Sequence, residues 1–321
     1  MEQRLRIMKM EVMDIDDAKK IWCNQYSRYC DDESFPSYWM QNTELIEKFL
    51  KFKIEKEMAI VAKQEDRVVG FLAYDEFMFH GESTVFCPII GHAALEEYKE
   101  SAYLKLYESI SREWVKRSIF NHMWTIFIND FKLKDILFEL GYGSYLIDAF
   151  AQIGSEESII NTQNVTRATN EDIDILYELA EESKEYYRDA PLFLKRDSFS
   201  RDEVNDLVTN SNVFIAKDKD DVIGVINLGV SDENNFIDMS VIGCGLVNEI
   251  GAYIKKEYRN KGIGLELLSA VKKCCRDKGI EYIHVDFETA NLYGNKFWKK
   301  YFTPMLLSMK RSVNRDADGR K

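Results

Sequence analysis

Along residues 253–302 the spacing of apolar positions changes period repeatedly. Alternation ending at Tyr253 and Ile254 predicts a strand, after which Leu267, Leu268, Val271, Cys274 and Cys275 share one face of an amphipathic helix that Gly279 stops. Alternation returns over 281–288 as a second strand, and Phe297, Trp298, Tyr301 and Phe302 mark a short aromatic helix. Upstream, the pattern predicts strands at 213–217, 222–230, 236–241 and 245–254. A helix over 171–187, capped near Thr169 or Asn170, precedes them, and a less regular stretch with Pro191 and a second helix fills 189–212. In the first half, a β-rich stretch over 83–90 leads to a helix with Tyr103, Leu106, Tyr107, Ile110 and Trp114 on one face.

Between the strand ending at Ile254 and its helix lies a basic turn, Arg259-x-x-Gly262-x-Gly264. Two glycines let backbone approach a ligand closely, and a helix beginning near Gly264 aims unpaired N–H groups and its positive dipole end at an anion. A P-loop needs Gly-Lys-Ser or Gly-Lys-Thr at the helix start, where this chain has Gly264-Leu265-Glu266. A dinucleotide fingerprint needs a third small residue where Leu267 stands, and Gly243-x-Gly245 fails in the same way at Asn248.

The turn resembles the acyl-CoA loop of the GNAT acyltransferases: Arg or Gln, two residues, Gly, one residue, then Gly or Ala. The resemblance continues through Asn291, Phe297-Trp298 and Tyr301-Phe302. It implies an α/β fold with a mixed sheet and acetyl-CoA as co-substrate, without a metal. Implied cofactor contacts are Ala252, Tyr253 and Ile254 on the strand, Arg259, Asn260, Lys261, Gly262, Ile263 and Gly264 in the loop, and Asn291 and Trp298 beyond it. The implied activity is N-acetylation of a small-molecule amine by direct attack in a ternary complex.

A faint repeat accompanies this block. Residues 62–70 (AKQEDRVVG) align with 216–224 (AKDKDDVIG), both strands joined by a charged turn, and Asp14-Ile15-Asp16 echoes Asp172-Ile173-Asp174. The period of about 155 residues suits two GNAT-like domains in tandem. The expected division is 1–153, a degenerate copy, and 164–313, the acyl-CoA copy, with a disordered tail over 314–321. The first copy has Gly91-His92-Ala93-Ala94-Leu95-Glu96-Glu97 before its helix, with no glycine between His92 and Leu140. Two glutamates and no close-approach glycine there should repel a pyrophosphate, so a structural role is expected.

Charge and cysteine content narrow the partners. With 43 Lys and Arg against 55 Asp and Glu the net charge is −12, which disfavours nucleic acid and anionic membrane and allows a cationic amine. No signal-type segment or membrane-length apolar run is found, and six scattered cysteines without a C-x-x-C pair suit a reducing cytoplasm. A monomer or homodimer is expected.

Amide formation from a thioester needs a fixed carbonyl, a neutral amine, and stabilisation of the oxyanion and departing thiolate. Glu249, an acid in an apolar strand, is the first candidate base, because burial there would raise its pKa; if it faces solvent it is an ordinary strand residue. His284 is the second candidate, with a surface histidine as the plainer reading. Indole cannot protonate a thiolate, so Trp298 leaves Tyr293, Tyr301 or water as the acid. Asn291 serves a cofactor or caps the aromatic helix. Two other function classes stay open: a non-catalytic acyl-CoA sensor, and an interaction protein built on the first half.

Overall fold

In the computed structural model, which describes residues 5–30, 38–154 and 163–318, the chain forms two units that are not its linear halves. The first takes Met1–Ile147, Asn235–Met239 and Pro304–Lys321, and the second Asp148–Asn234 and Ser240–Thr303. Expected boundary residues 155–162 lie outside the described residues.

The first unit begins with β1 (Arg6–Lys9), α1 (Ile15–Tyr29), α2 (Tyr38–Gln41) and α3 (Glu44–Glu55). It continues through β2 (Ala59–Gln64), β3 (Arg67–Ala73), β4 (Asp75–Phe79), β5 (Glu82–Cys87) and β6 (His92–Ala94). Then come α4 (Lys99–Lys116), β7 (Asn121–Phe127), α5 (Phe131–Glu139) and β8 (Gly143–Gln152), whose last residues count with the second unit. Strands β1, β2, β3 and β6 pair antiparallel in that order, β4 pairs β5 antiparallel, and β5 runs parallel to β7. The apolar faces bury Trp22, Tyr103, Trp114 and Trp124 almost completely, at roughly 1.5–3 kcal/mol or more for each large side chain.

The second unit contains β9 (Val165–Arg167), α6 (Ile173–Arg188), α7 (Arg201–Asn210), β10 (Asn212–Asp218), β11 (Asp221–Val230), β12 (Gly245–Val247) and β13 (Ala252–Ile254). It ends with α8 (Ile263–Lys278), β14 (Tyr282–Glu288) and α9 (Leu292–Tyr301). Strands β9, β10 and β11 form an antiparallel meander, β12 bridges β11 to a parallel β14, and β13 pairs β11 alone among the described residues. Leu176, Leu179, Val204, Val213, Ile215 and Val225 form its core. The last strand, β15 (Thr303–Ser312), belongs from Pro304 onward to the first unit and pairs within it to β7, from Leu306 opposite Phe127 to Ser312 opposite Asn121.

The repeat extends to fine detail. In the first unit Asp14 accepts the Glu11 amide at 3.0 Å and pairs with Lys63 at 2.5 Å; in the second Asp172 accepts the Thr169 amide at 2.9 Å and pairs with Lys217 at 3.3 Å. Both hairpins shift register at the same Ala-Lys step, Ala62/Lys63 and Ala216/Lys217. Helix α5 is capped by Asp130 and α9 by Asn291, each accepting the backbone amide three residues on.

Three expected elements differ. Residues 236–241 form no strand: Phe236 packs against Trp39 and Phe49, Trp39 donates to the Met239 carbonyl, and Met239 takes a left-handed φ of 63°. The strand expected over 245–254 is broken into β12 and β13 by a turn closed from the Gly251 amide to the Asn248 carbonyl at 2.8 Å. The expected disordered tail includes a 3-10 turn, Arg315–Asp318, pinned by an Arg315–Glu82 ion pair; residues 319–321 lie outside the described residues.

Candidate active site

Helix α8 starts from a backbone that only a glycine adopts easily. Gly262, its N-cap, has φ 89°, two residues after Asn260 at φ 60°. The first helical bonds run from the Leu265 and Glu266 amides to the Gly262 carbonyl, at 2.9 and 3.1 Å. Amides of Ile263 and Gly264 therefore precede any acceptor in the helix and carry its positive end. Gly264 is a packing glycine: a Cβ there would lie 3.1 Å from the Phe297 ring and 3.3 Å from Ile254 Cδ1, so its absence lets α8 close on β13 and α9.

Arg259 is fixed from three sides. Its Nε donates to the Ile254 carbonyl at 2.9 Å, and its guanidinium lies 4.6 Å from the Tyr186 ring and 5.5 Å from the Tyr253 ring. Burial raises the Tyr186 phenol despite the opposing pull of Arg259, so it stays protonated and donates to Asn291 Oδ1 at 2.9 Å. The same Oδ1 accepts the Gly294 amide at 3.0 Å, which makes Asn291 the cap of α9. Ala252, Tyr253 and Ile254 form β13, whose second edge pairs with no strand among the described residues. That unpaired edge, the α8 start and the Arg259–Tyr186–Asn291 wall together suit an elongated anion carrying polar amide groups. Lys261 is exposed in the same loop, its ammonium 5.0 Å from the Tyr258 ring.

Two candidate bases are placed differently from expectation. Glu249 is exposed, outside both strands, and at φ 57° within the turn between β12 and β13, so the burial that would tune it is missing. Asn248 and Gly251 close this turn, and Asn227 pins it by donating its amide to the Gly251 carbonyl at 2.8 Å. His284 is buried rather than at the surface, with Nε2 3.1 Å from Asp148 Oδ1 and its ring 5.0 Å from Phe150, the setting of a satisfied core histidine. Tyr293 is exposed on the first turn of α9, while Trp298 is buried edge-on to Phe302 and against Phe297.

One acid escaped sequence reasoning. Glu288 ends β14 and is 7% exposed; its Oε1 lies 3.5 Å from Arg196, and its Oε2 has no hydrogen-bond partner among the described residues. Arg196 stacks over the Tyr187 ring at 3.5 Å, and burial together with the Glu288 charge pushes the Tyr187 phenol up. The available signal was an acid closing an apolar strand three residues before the helix-capping Asn291.

The corresponding place in the first unit is filled by its own side chains. A 3-10 turn, Glu96–Tyr98, leads into α4, and buried Lys99 donates to both Asp130 oxygens at 3.0 and 2.9 Å and to Tyr29 at 2.7 Å. Burial alone would depress the Lys99 ammonium, but Asp130 and Tyr29 hold it raised. Glu96 is tied to Lys99 and Arg28. Among the described residues no cluster of His, Cys, Asp and Glu could hold a metal ion, and no helix is long and apolar enough to cross a membrane.

Residues 173–302 match the model of the acetyltransferase (GNAT) family. A GCN5-related N-acetyltransferase from Sphaerobacter thermophilus superposes with a TM-score of 0.61 at 10% identity, over 98% of this chain and 97% of that one. A GCN5-related glucosamine N-acetyltransferase region of a fungal multi-domain β-N-acetylglucosaminidase gives 0.57 at 10% identity, over 97% of this chain and 38% of that one. At such identity these likenesses speak for the fold, a mixed α/β architecture of two GNAT-like domains. No curated protein matches the sequence.

Proposed function

Residues 173–302 form an acetyltransferase domain of the GNAT family, and on that premise we propose that the chain transfers the acetyl group of acetyl-CoA to the amine of a small molecule. The observation that carries the reading is the start of α8, where the left-handed Gly262 presents the Ile263 and Gly264 amides beside Arg259. Phosphate oxygens are good acceptors for such a set. Arg259, Asn260, Lys261 and the 262–264 amides would hold the pyrophosphate, and the unpaired edge of β13, Ala252 to Ile254, would meet the pantetheine amides. When bound, acetyl-CoA supplies the activated thioester.

This chain's residues then orient the reaction. With Glu249 exposed and His284 tied to Asp148, neither is poised as the base. Tyr293, exposed on α9 beside Tyr186, is the hydroxyl we assign to the leaving thiolate. Asn291 acts by positioning: it caps α9 and holds Tyr186, which in turn backs Arg259. Only the second unit is assigned a cofactor, because Lys99 and Asp130 fill the corresponding place in the first. Direct attack in a ternary complex is the expected route, since the cysteine thiols whose acidity is perturbed are shifted up by burial, the wrong direction for a nucleophile.

The test is thiol release from acetyl-CoA over a panel of primary amines. Amine-dependent release, with Tyr293→Phe slowing turnover more than it weakens acetyl-CoA binding, is the expected result. Tight acetyl-CoA binding with no release for any amine would overturn the transferase assignment.

A further inference from the structure

Glu288 is a costly group to leave as it stands. A carboxylate this deeply buried is stable only when its oxygens are met by donors or cations, yet Oε2 has no hydrogen-bond partner among the described residues and Oε1 has only a loose contact with Arg196 at 3.5 Å. Arg196 comes from the irregular stretch between α6 and α7, and its side chain is 36% exposed, so it can swing into water without losing a buried position. What it would leave behind is an acid against the Tyr187 ring, on which the guanidinium now lies at 3.5 Å.

The place connects to the loop at α8 through single side chains. Tyr187 receives a long contact from Asn291 Nδ2 at 3.5 Å, Asn291 Oδ1 accepts from Tyr186, and the Tyr186 ring backs Arg259. A group held by Glu288 would therefore sit one layer of side chains from the α8 start. We propose that Glu288 anchors the acceptor's amine while it is protonated and takes one of its protons before the neutral amine attacks, and that Arg196 occupies that anchor until the amine displaces it. An alkylammonium carries three N–H donors on a compact charge, enough to satisfy Oε2, engage Oε1 and face the Tyr187 ring. This rests on the acetyltransferase reading for the word acceptor, but binding at Glu288 is measurable without turnover.

The experiment titrates the full chain with propylammonium chloride at constant ionic strength, beside Glu288→Gln and Arg196→Gln, with acetyl-CoA titrated into the same samples. The parent should bind propylammonium saturably, Glu288→Gln should bind it at least about 10-fold more weakly, and Arg196→Gln should bind it more tightly. Acetyl-CoA affinity should stay within about twofold in both variants, as neither residue contacts the loop. Absence of saturable binding to the parent, equal affinity in Glu288→Gln, or no gain in Arg196→Gln each overturns the proposal; the last holds even if Glu288→Gln fails to fold. Intact acetyl-CoA binding with no ammonium binding would sink the anchor alone, whereas loss of acetyl-CoA binding in the parent would sink the acetyltransferase reading.

Discussion

Replacing Gly262 by Ala isolates the backbone geometry on which the cofactor assignment depends. A Cβ at Gly262 meets nothing within 4 Å, so no clash arises, and the whole perturbation is the cost of holding an L-residue at φ 89°. That cost is roughly 1–2 kcal/mol. In the free protein the loop can relax toward negative φ and turn the Ile263 and Gly264 amides away; in the complex it must return. The penalty then appears in binding, as a rise in the acetyl-CoA dissociation constant of about 5- to 30-fold. Gly243→Ala is the control, because Gly243 has φ 83° and equally open surroundings but lies outside the loop. Calorimetric titration with thermal unfolding of both variants makes the comparison. Small stability losses are expected in both, since each open loop can relax, with weakened binding confined to Gly262→Ala. Parent-like affinity in Gly262→Ala would refute the argument that this left-handed turn forms the cradle.

Other substitutions and conditions follow from the same geometry. Burial holds His92 and His122, each bonded to a tyrosine hydroxyl and a backbone carbonyl, at pKa values lowered to about 4. Because the folded pKa lies below the unfolded 6.5, their contribution is complete above pH 6.5 and fades as pH falls toward 4; each should contribute about 3 kcal/mol, read as a shift in urea midpoint between pH 7 and pH 4. In Gly294→Ala a Cβ would fall 2.8 Å from Asn291 Nδ2, so the cap should fail at a cost of about 1 kcal/mol or more in thermal unfolding, with turnover falling alongside. Lys99→Met should destabilise the chain by roughly 3–5 kcal/mol by leaving Asp130 buried and unpaired, while acetyl-CoA binding to the surviving folded protein is unchanged. Glu249→Gln should leave the pH profile of turnover intact; a lost acidic limb would restore Glu249 as the base.

Legibility in the sequence tracked how local the determining physics is. The turn at Arg259, the helix stop at Gly279, the charged hairpins and the Asp14/Asp172 echo could be read because each is set within a few residues. Residues 236–241 mimic a strand by alternation, but contacts of Phe236 and Met239 with Trp39, about 200 positions away in the chain, override that preference. Glu249 looked buried because its neighbours are apolar; a left-handed turn spanning Asn248 and Gly251 lifts it into water, and only Gly251 hinted at the break. Trp298 and His284 were weighed as chemistry from position alone, whereas packing decides both. Glu288 was missed because its significance lies in an unpartnered oxygen, a fact of three-dimensional contacts that no spacing encodes.

Stoichiometry of acetyl-CoA binding tests the central claim most directly. Calorimetric titration of the full chain should give one site, lost when Arg259→Glu and Gly262→Asp are combined. Two sites would contradict the assignment of the first unit, where Lys99 and Asp130 fill the corresponding place, and one site that survives the double substitution would contradict the cradle at α8.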